Sequence, residues 1–261
     1  MTRLQILLIA TTTILLLVLY FGFDIKSSKM QGDLAKMERT GISIDIQPLV
    51  EEAKKELGTL ELNEIARLEN QLATAEGEGR NTALKELSGK YYRLGKFYLA
   101  GSYAEMVAED QSSGEAWSIA ATTYLAGLSD EDDLIRQASL NKAIESFENA
   151  ISMEPEVVQY RVNLALIYAE SPPPDNPMKG VQMLLSLNEK YPGDVLVLNS
   201  LARLAIKTGQ WDRAKQRLEL ADSLHPENTT TICLLADVYS QLNDQRAQVV
   251  RDKCDLLTLK K

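Results

Sequence analysis

Histidine and cysteine are almost missing from this chain: one of the first, His225, and two of the second, Cys233 and Cys254, in 261 residues. A lone histidine excludes a multi-histidine metal site. No serine or cysteine stands near it in a nucleophile–base arrangement, and its place before Pro226 reads as a solvated turn. The cysteines are 21 residues apart with no second Cys or His beside either, which is no metal motif. They fall on successive predicted helices joined near Asn243-Asp244. An antiparallel hairpin centred there puts both at one height. A disulfide is then open to them in an oxidising compartment if their Cβ atoms face each other. The plainer reading is two small thiols in a core or groove.

Runs of one basic charge are absent too. Arg3 is the only charged residue before the first long apolar run, which leaves 27 bases against 37 acids in the rest of the chain. A nucleic-acid binder needs a basic face to neutralise phosphates, so this class is excluded as a partner. The acidic stretch Asp130-Glu131-Asp132-Asp133 lacks the spacing and the glycine of a calcium loop and reads as a solvated loop. With no phosphate loop, metal cluster or nucleophile–base pair, the expectation is a protein that is not an enzyme and holds no cofactor.

Strand signals are few, while Ala, Leu, Glu and Lys dominate, which predicts an all-α protein. One run stands apart. Leu4 to Phe23, LQILLIATTTILLLVLYFGF, has no charge over 20 residues, and as a helix it spans roughly 30 Å, the hydrocarbon thickness. Its end, Tyr-Phe-Gly-Phe-Asp, is a poor cleavage site, so it reads as an uncleaved signal anchor, a single transmembrane helix. Counting Lys and Arg alone puts the C-terminal side in the cytoplasm. A three-residue tail before the span instead resembles a bacterial signal anchor that exports its C-terminal domain. The expectation taken is a bacterial inner-membrane protein with its C-terminal part in the periplasm.

The organisation comes from apolar periodicity and breakers. Residues 1–3 are a tail, 4–23 the span, 24–47 a stalk or linker, 48–76 a helical segment that caps a repeat domain, and 81–258 the repeat domain itself. Gly58 breaks the capping segment, and Gly77 with Gly79 ends it. Helix pairs come next. Leu84-x-x-Leu87-Ser88-x-x-Tyr91 is answered, after Gly95, by Phe97, Ala100, Ala104 and Val107. Trp117-x-x-Ala120-Ala121-x-x-Tyr124 is answered by Ala143-x-x-x-Phe147-x-x-Ala150 and Pro155, with about ten extra residues around Ser129 to Ser139 lengthening the turn. Asn163-Leu164-Ala165-x-x-Tyr168 leads to Gly180, Leu184, Leu187 and Pro192. Leu198-x-x-Leu201-Ala202 leads to Gly209, Trp211, Ala214, Leu218, Ala221 and Pro226. Ile232-x-x-Leu235-Ala236-x-x-Tyr239 leads to Ala247, Val250, Cys254 and Leu257, a polar last helix suited to closing the series. Small residues (Ala120, Ala121, Ala143, Ala165, Ala202, Ala214, Ala236) let helices approach, and large ones (Trp117, Tyr124, Phe147, Tyr168, Tyr239) fill the gaps. Pro192 and Pro226 are 34 residues apart.

This order and period resemble the tetratricopeptide repeat family over residues 81 to 258. The resemblance implies a right-handed α-solenoid of about five helix pairs, with a concave groove lined by the first helix of each pair. It implies a scaffold that binds a protein or peptide. Groove positions at four-residue steps are then Val162, Leu166 and Glu170, then Asn199, Arg203 and Lys207, then Cys233, Asp237 and Gln241. A family subset that grips a peptide carboxylate with Lys, Asn and Arg is not matched, because Val162 and Leu166 stand where it needs polar groups. A mixed apolar and basic groove fits an extended peptide or an amphipathic helix. The layout is similar to membrane-anchored repeat proteins beside the secretion translocon or in cytochrome c maturation. The function expected is therefore a chaperone-like adaptor for exported or membrane-complex proteins. The alternative is a structural subunit of an envelope or cell-division assembly.

Overall fold

The computed structural model describes residues 44–259. The expected tail, the span 4–23 and the stalk up to residue 43 lie outside the described residues. Among the described residues no helix is long and apolar enough to cross a membrane. The chain divides into two units, Met1–Asp45 and Ile46–Lys261, and the helices below belong to the second.

That unit is all-α. Among the described residues it has twelve α-helices, one 3₁₀ turn and no strand. They are α1 (Ile46–Lys55), α2 (Thr59–Thr74), α3 (Gly77–Arg93), α4 (Phe97–Gln111), α5 (Gly114–Ala126), α6 (Asp133–Met153), α7 (Val158–Glu170), α8 (Lys179–Lys190), α9 (Val195–Lys207), α10 (Trp211–Leu224), α11 (Thr229–Gln241) and α12 (Ala247–Thr258). Each of α2 to α12 packs on its chain neighbour. Beyond neighbours, α7 touches α9, α9 touches α11, α4 touches α6, and at the front α1 touches α4. Contacts confined to near neighbours are the mark of a chain built by stacking repeats.

Two corners recur, and the sequence dictates both. Inside three of the five pairs the chain turns through a left-handed residue: Gly95 (φ 73°), Gly209 (φ 69°) or Asn243 (φ 52°). The next N–H then reaches back to a carbonyl of the preceding helix: Lys96 N to Tyr91 O (2.9 Å), Gln210 N to Ala205 O (2.8 Å), Asp244 N to Tyr239 O (2.9 Å). This is the glycine-type helix end, with asparagine standing in at the third site. Between pairs the α4–α5 corner is Ser112 in the left-handed region (φ 49°), and the other three are a residue before proline, which is barred from helical backbone. Glu154, Tyr191 and His225 share one conformation, with φ −132°, −132° and −139° and ψ 75°, 67° and 80°. Two of these corners hand over to a capping side chain. Asp194 accepts from Val197 N (3.0 Å), and Asn228 accepts from Thr231 N (2.9 Å).

Packing obeys the small–large pattern. The seven alanines named above have no exposure, and Trp117, Tyr124, Phe147, Tyr168 and Tyr239 are buried beside them. Three joints between pairs repeat a polar device: a tyrosine of a first helix meets a glutamate of the second helix before it. Tyr124 donates to Glu105 (2.5 Å) and Tyr239 to Glu219 (2.9 Å), and Tyr168 stands 3.5 Å from Glu148. Burial and then the facing carboxylate push Tyr124 and Tyr239 above the ordinary phenol range. A cation attends each joint. Lys142 bonds Glu105 at 2.8 Å, Lys179 lies 3.7 Å over the Tyr168 ring, and Arg246 lies 4.2 Å over the Tyr239 ring. The α8–α9 joint has Ala205 where the period would place a tyrosine, and it closes with apolar side chains, Leu184 and Leu187 against Val197 and Leu201.

At the front, Val50 and Ala53 of α1 and Ile65 and Leu68 of α2 share one core with α3 and α4. Five expectations need correction here. Gly77 and Gly79 do not end α2, which stops at Thr74; they lie in the first turn of α3. The stalk does not run to 47, because α1 starts at Ile46 and holds Pro48 in its first turn, where the missing N–H is harmless. The insertion does not lengthen a turn up to Ser139. Asp132 caps α6 by accepting from Leu134 N (2.7 Å), and the added residues become helix, 21 residues in all. Arg136 ties that acidic corner down by pairing with Asp133 and donating to the carbonyls of Asp130 (2.6 Å) and Glu131 (2.9 Å). Finally, α12 is not a polar cover. It buries only Cys254, and with the turn after it exposes Val249, Leu256 and Leu259 by 71%, 61% and 84%. A disulfide joins Cys233 to Cys254, Cα–Cα 5.0 Å, so the hairpin height argument holds and the free-thiol reading does not.

Candidate partner-binding surface

The first helices, α3, α5, α7, α9 and α11, supply the face on which a partner was expected. The expected residues do not all reach it. Val162 has no exposure and sits in the core between α7, α8 and α9. Asn199 is 5% exposed, and its Oδ1 accepts from the buried Thr231 Oγ1 at 3.0 Å, which bridges α9 to α11. Cys233 is taken by the disulfide. These three are structural. The cause is rotation: a four-residue step on a 3.6-residue helix drifts about 40°, so each trio starts toward the core and ends in solvent. Leu166 is half-buried and Glu170, Arg203, Lys207, Asp237 and Gln241 reach the surface. Arg203 and Lys207 make no ion pair among the described residues, while Asp237 accepts from Arg251 (2.6 Å).

Leu166 and Glu170 open onto a hollow of about 340 Å³ between α5 and α7, opposite Thr122 and Leu125. A larger cleft, about 550 Å³, lies on the other side of α5, between it and α3. Here the first helices stand apart. Ala104 and Val107 of α4 form the floor, Ser88, Gly89 and Tyr92 of α3 one wall, and Ala116, Ile119 and Thr123 of α5 the other. Lys85 and Arg93 flank the α3 side and Glu115 the α5 side. Ile119 is 55% exposed and Tyr92 49%, the latter braced edge-on by Phe97 at 5.1 Å. Exposed apolar groups inside a concavity mark a binding site more than scattered ones do. Apolar periodicity along the chain does not reveal this cleft. Its one signal in the sequence is Ile119, an apolar residue off the Trp117–Ala120–Ala121–Tyr124 core stripe. Among the described residues no group of three or more His, Cys, Asp or Glu converges as metal ligands would.

The geometry defines a repeat-built all-α protein with a cleft of ligand size and no converging acid–base pair within it. No family model matches the chain, and no curated protein matches it. Solved structures of similar helical arrangement include MamA MSR-1, 18% identical, covering 69% of this chain and 98% of that one with a TM-score of 0.39. MamA 41-end from Desulfovibrio magneticus RS-1 is 15% identical over 70% of this chain and 96% of that one, TM-score 0.43. PilW, a widely conserved type IV pilus biogenesis factor, is 18% identical over 68% and 77%, TM-score 0.48. With scores below 0.5 these likenesses place no residue and bring no partner to this chain.

Proposed function

We propose that this chain is a scaffold of the tetratricopeptide type, anchored in a membrane by residues 4–23, that holds a protein partner on the face made by its first helices. The observation that carries the reading is the cleft between α3 and α5, with a separate hollow on the other side of α5 against α7. Together they offer an apolar trough with charged rims and no reacting group, which suits a peptide or helix and not a turnover. The domain order of span 4–23, stalk, a cap made of α1 and α2, and repeat array belongs to the same proposal, as does the coiling of the pairs into a right-handed solenoid. The disulfide supports export of the repeats, because such bonds persist in oxidising compartments such as the periplasm. A chaperone-like role toward exported or membrane-complex proteins accords with that placement.

A photo-crosslinking residue at Ile119, and separately at Arg203, in cells of the source tests the reading. A discrete protein adduct from either position is expected, and its absence from both sinks the scaffold. A reporter fused at the C-terminus and active on one side of the membrane decides the side. A second reading, a structural subunit of an envelope or division assembly, is favoured by the exposed Val249, Leu256 and Leu259 of the last helix and its following turn. It predicts stoichiometric co-purification that survives charge reversal of the trough.

A further inference from the structure

We propose that the α3–α5 cleft receives a partner segment carrying acidic side chains beside one or two large apolar ones, and that Gly89 is the residue that makes room for it. The inference rests on the scaffold reading and narrows it to one site and one ligand chemistry.

Gly89 is the first observation. It lies inside α3, where glycine weakens a helix relative to alanine. Two other helical glycines are demanded by packing: a Cβ on Gly101, inside α4, would meet the Tyr124 ring at 2.4 Å, and one on Gly180, in the first turn of α8, would meet Ala165 O at 2.3 Å. A Cβ on Gly89 would meet nothing closer than Arg93 Nη1 at 3.5 Å, an ordinary contact. Its backbone is not left-handed. Neither packing nor backbone within the protein calls for this glycine, and it stands bare in the cleft wall. Ser88, Ala104 and Ala116 around it are small as well. A helix wall without side chains lets a second backbone approach closely.

Charge is the second observation. α3 carries four bases, Arg80, Lys85, Lys90 and Arg93. Arg80 pairs with Asp110 at 3.0 Å and Lys90 with Glu64 at 2.6 Å. Lys85 and Arg93 have no carboxylate partner among the described residues, and these are the two that line the cleft. Glu64 feels the charge of Arg93, but its bond is with Lys90. One acid, Glu115, faces them. The cleft is thus locally cationic in a chain of net charge −9, and it complements an anionic segment. Ile119 and Tyr92 supply the apolar contact.

The test uses the full chain in detergent micelles and three fluorescent synthetic peptides of one length. One has Leu and Phe flanked by Asp and Glu, one replaces the acids by Lys, and one replaces Leu and Phe by Ser. Fluorescence anisotropy should show the first binding at least about tenfold tighter than the other two, with affinity falling as salt rises. Lys85→Glu with Arg93→Glu should reverse the preference toward the lysine peptide. Gly89→Leu should lose at least about tenfold in affinity without lowering the melting temperature, and Gly89→Ala, the gentler variant, should lose part of it. Equal binding of the acidic and lysine peptides overturns the proposal. So does binding untouched by Gly89→Leu and Gly89→Ala, or no binding of any peptide. A crosslinked partner from Arg203 but none from Ile119 overturns this inference while leaving the scaffold standing; none from either removes both.

Discussion

Between α3 and α5 the first helices stand apart over a floor of small side chains, whereas α7, α9 and α11 lie against one another. Both regions are built of helix hairpins, with left-handed inner corners at Gly95 in the front and at Gly209 and Asn243 in the rear. What differs is the filling. In the rear, Val162, Val197 and Leu201 occupy the space between first helices, and Asn199 bonds Thr231 across it. In the front, the load passes through the second helix instead. α4 packs closely on α5, with the Tyr124 ring seated on Gly101. A repeat chain can therefore hold its stack through one set of joints and leave the other open. The difference between a closed and an open joint resides in a few side chains and leaves the backbone plan alone.

Four changes would break or sharpen this contrast. Gly180→Val strikes the closed region hardest. Its side chain would meet Ala165 O and the Ala169 N at 2.3 and 2.4 Å, backbone atoms that cannot swing away. We expect a loss of about 3 kcal/mol or more in urea unfolding, and a loss under about 1 kcal/mol would mean that α7 and α8 are not in close contact. Cys233→Ser with Cys254→Ser should come next, removing about 3 kcal/mol by the chain-entropy model for a loop of this length. Hydrogen exchange should then speed up in α12, whose only buried residue is Cys254, and stay unchanged in α3 to α5. Faster exchange throughout would show that front and rear unfold as one. Gly89→Ala should raise stability by about 0.5–1 kcal/mol, read by thermal melting. A loss instead would show that the cleft wall is packed and not open.

Acidification gives the smallest and most local effect, with opposite signs in the two regions. Arg246, and then Lys215, hold the Asp244 carboxyl well below its usual range. A lowered value stabilises above the unfolded value of about 4 and is lost as pH falls below it toward the folded value. Glu109, on α4, is pushed up by burial and then by Glu105. A raised value favours the folded state below about 4 and is lost as pH rises through the folded value. Amide exchange below about pH 4 should therefore loosen the α11–α12 turn while α4 holds. Uniform loosening would deny the contrast.

Much of the fold was legible because its causes are local. Proline after Glu154, Tyr191 and His225 forbids helix there whatever surrounds it, and all seven named alanines lie where the small–large alternation puts them. The disulfide was legible as a height on a hairpin, though its formation depends on which way two Cβ atoms face. The site was legible only in part. Val162 and Asn199 were misplaced because a four-residue step creeps around the helix and carries the start of each trio inward. Trp211 reads as a core aromatic, yet at the first position of α10 it is only half-buried, packed on the edge of the rear core. Apart from Ile119, an apolar residue off the core stripe, the α3–α5 cleft left no mark in the sequence, because it is a distance between helices far apart along the chain. No pattern along one helix reports how far away its neighbour stands.

The shared pre-proline corner carries a consequence of its own. The chain leaves α8 at Tyr191 and α10 at His225 with nearly the same torsions, and a capping Asp or Asn waits three residues on in each case. A duplication or excision of the intervening stretch would join like to like and disturb neither splice. Array length in this architecture can change by one whole module at that place without altering the cleft between α3 and α5.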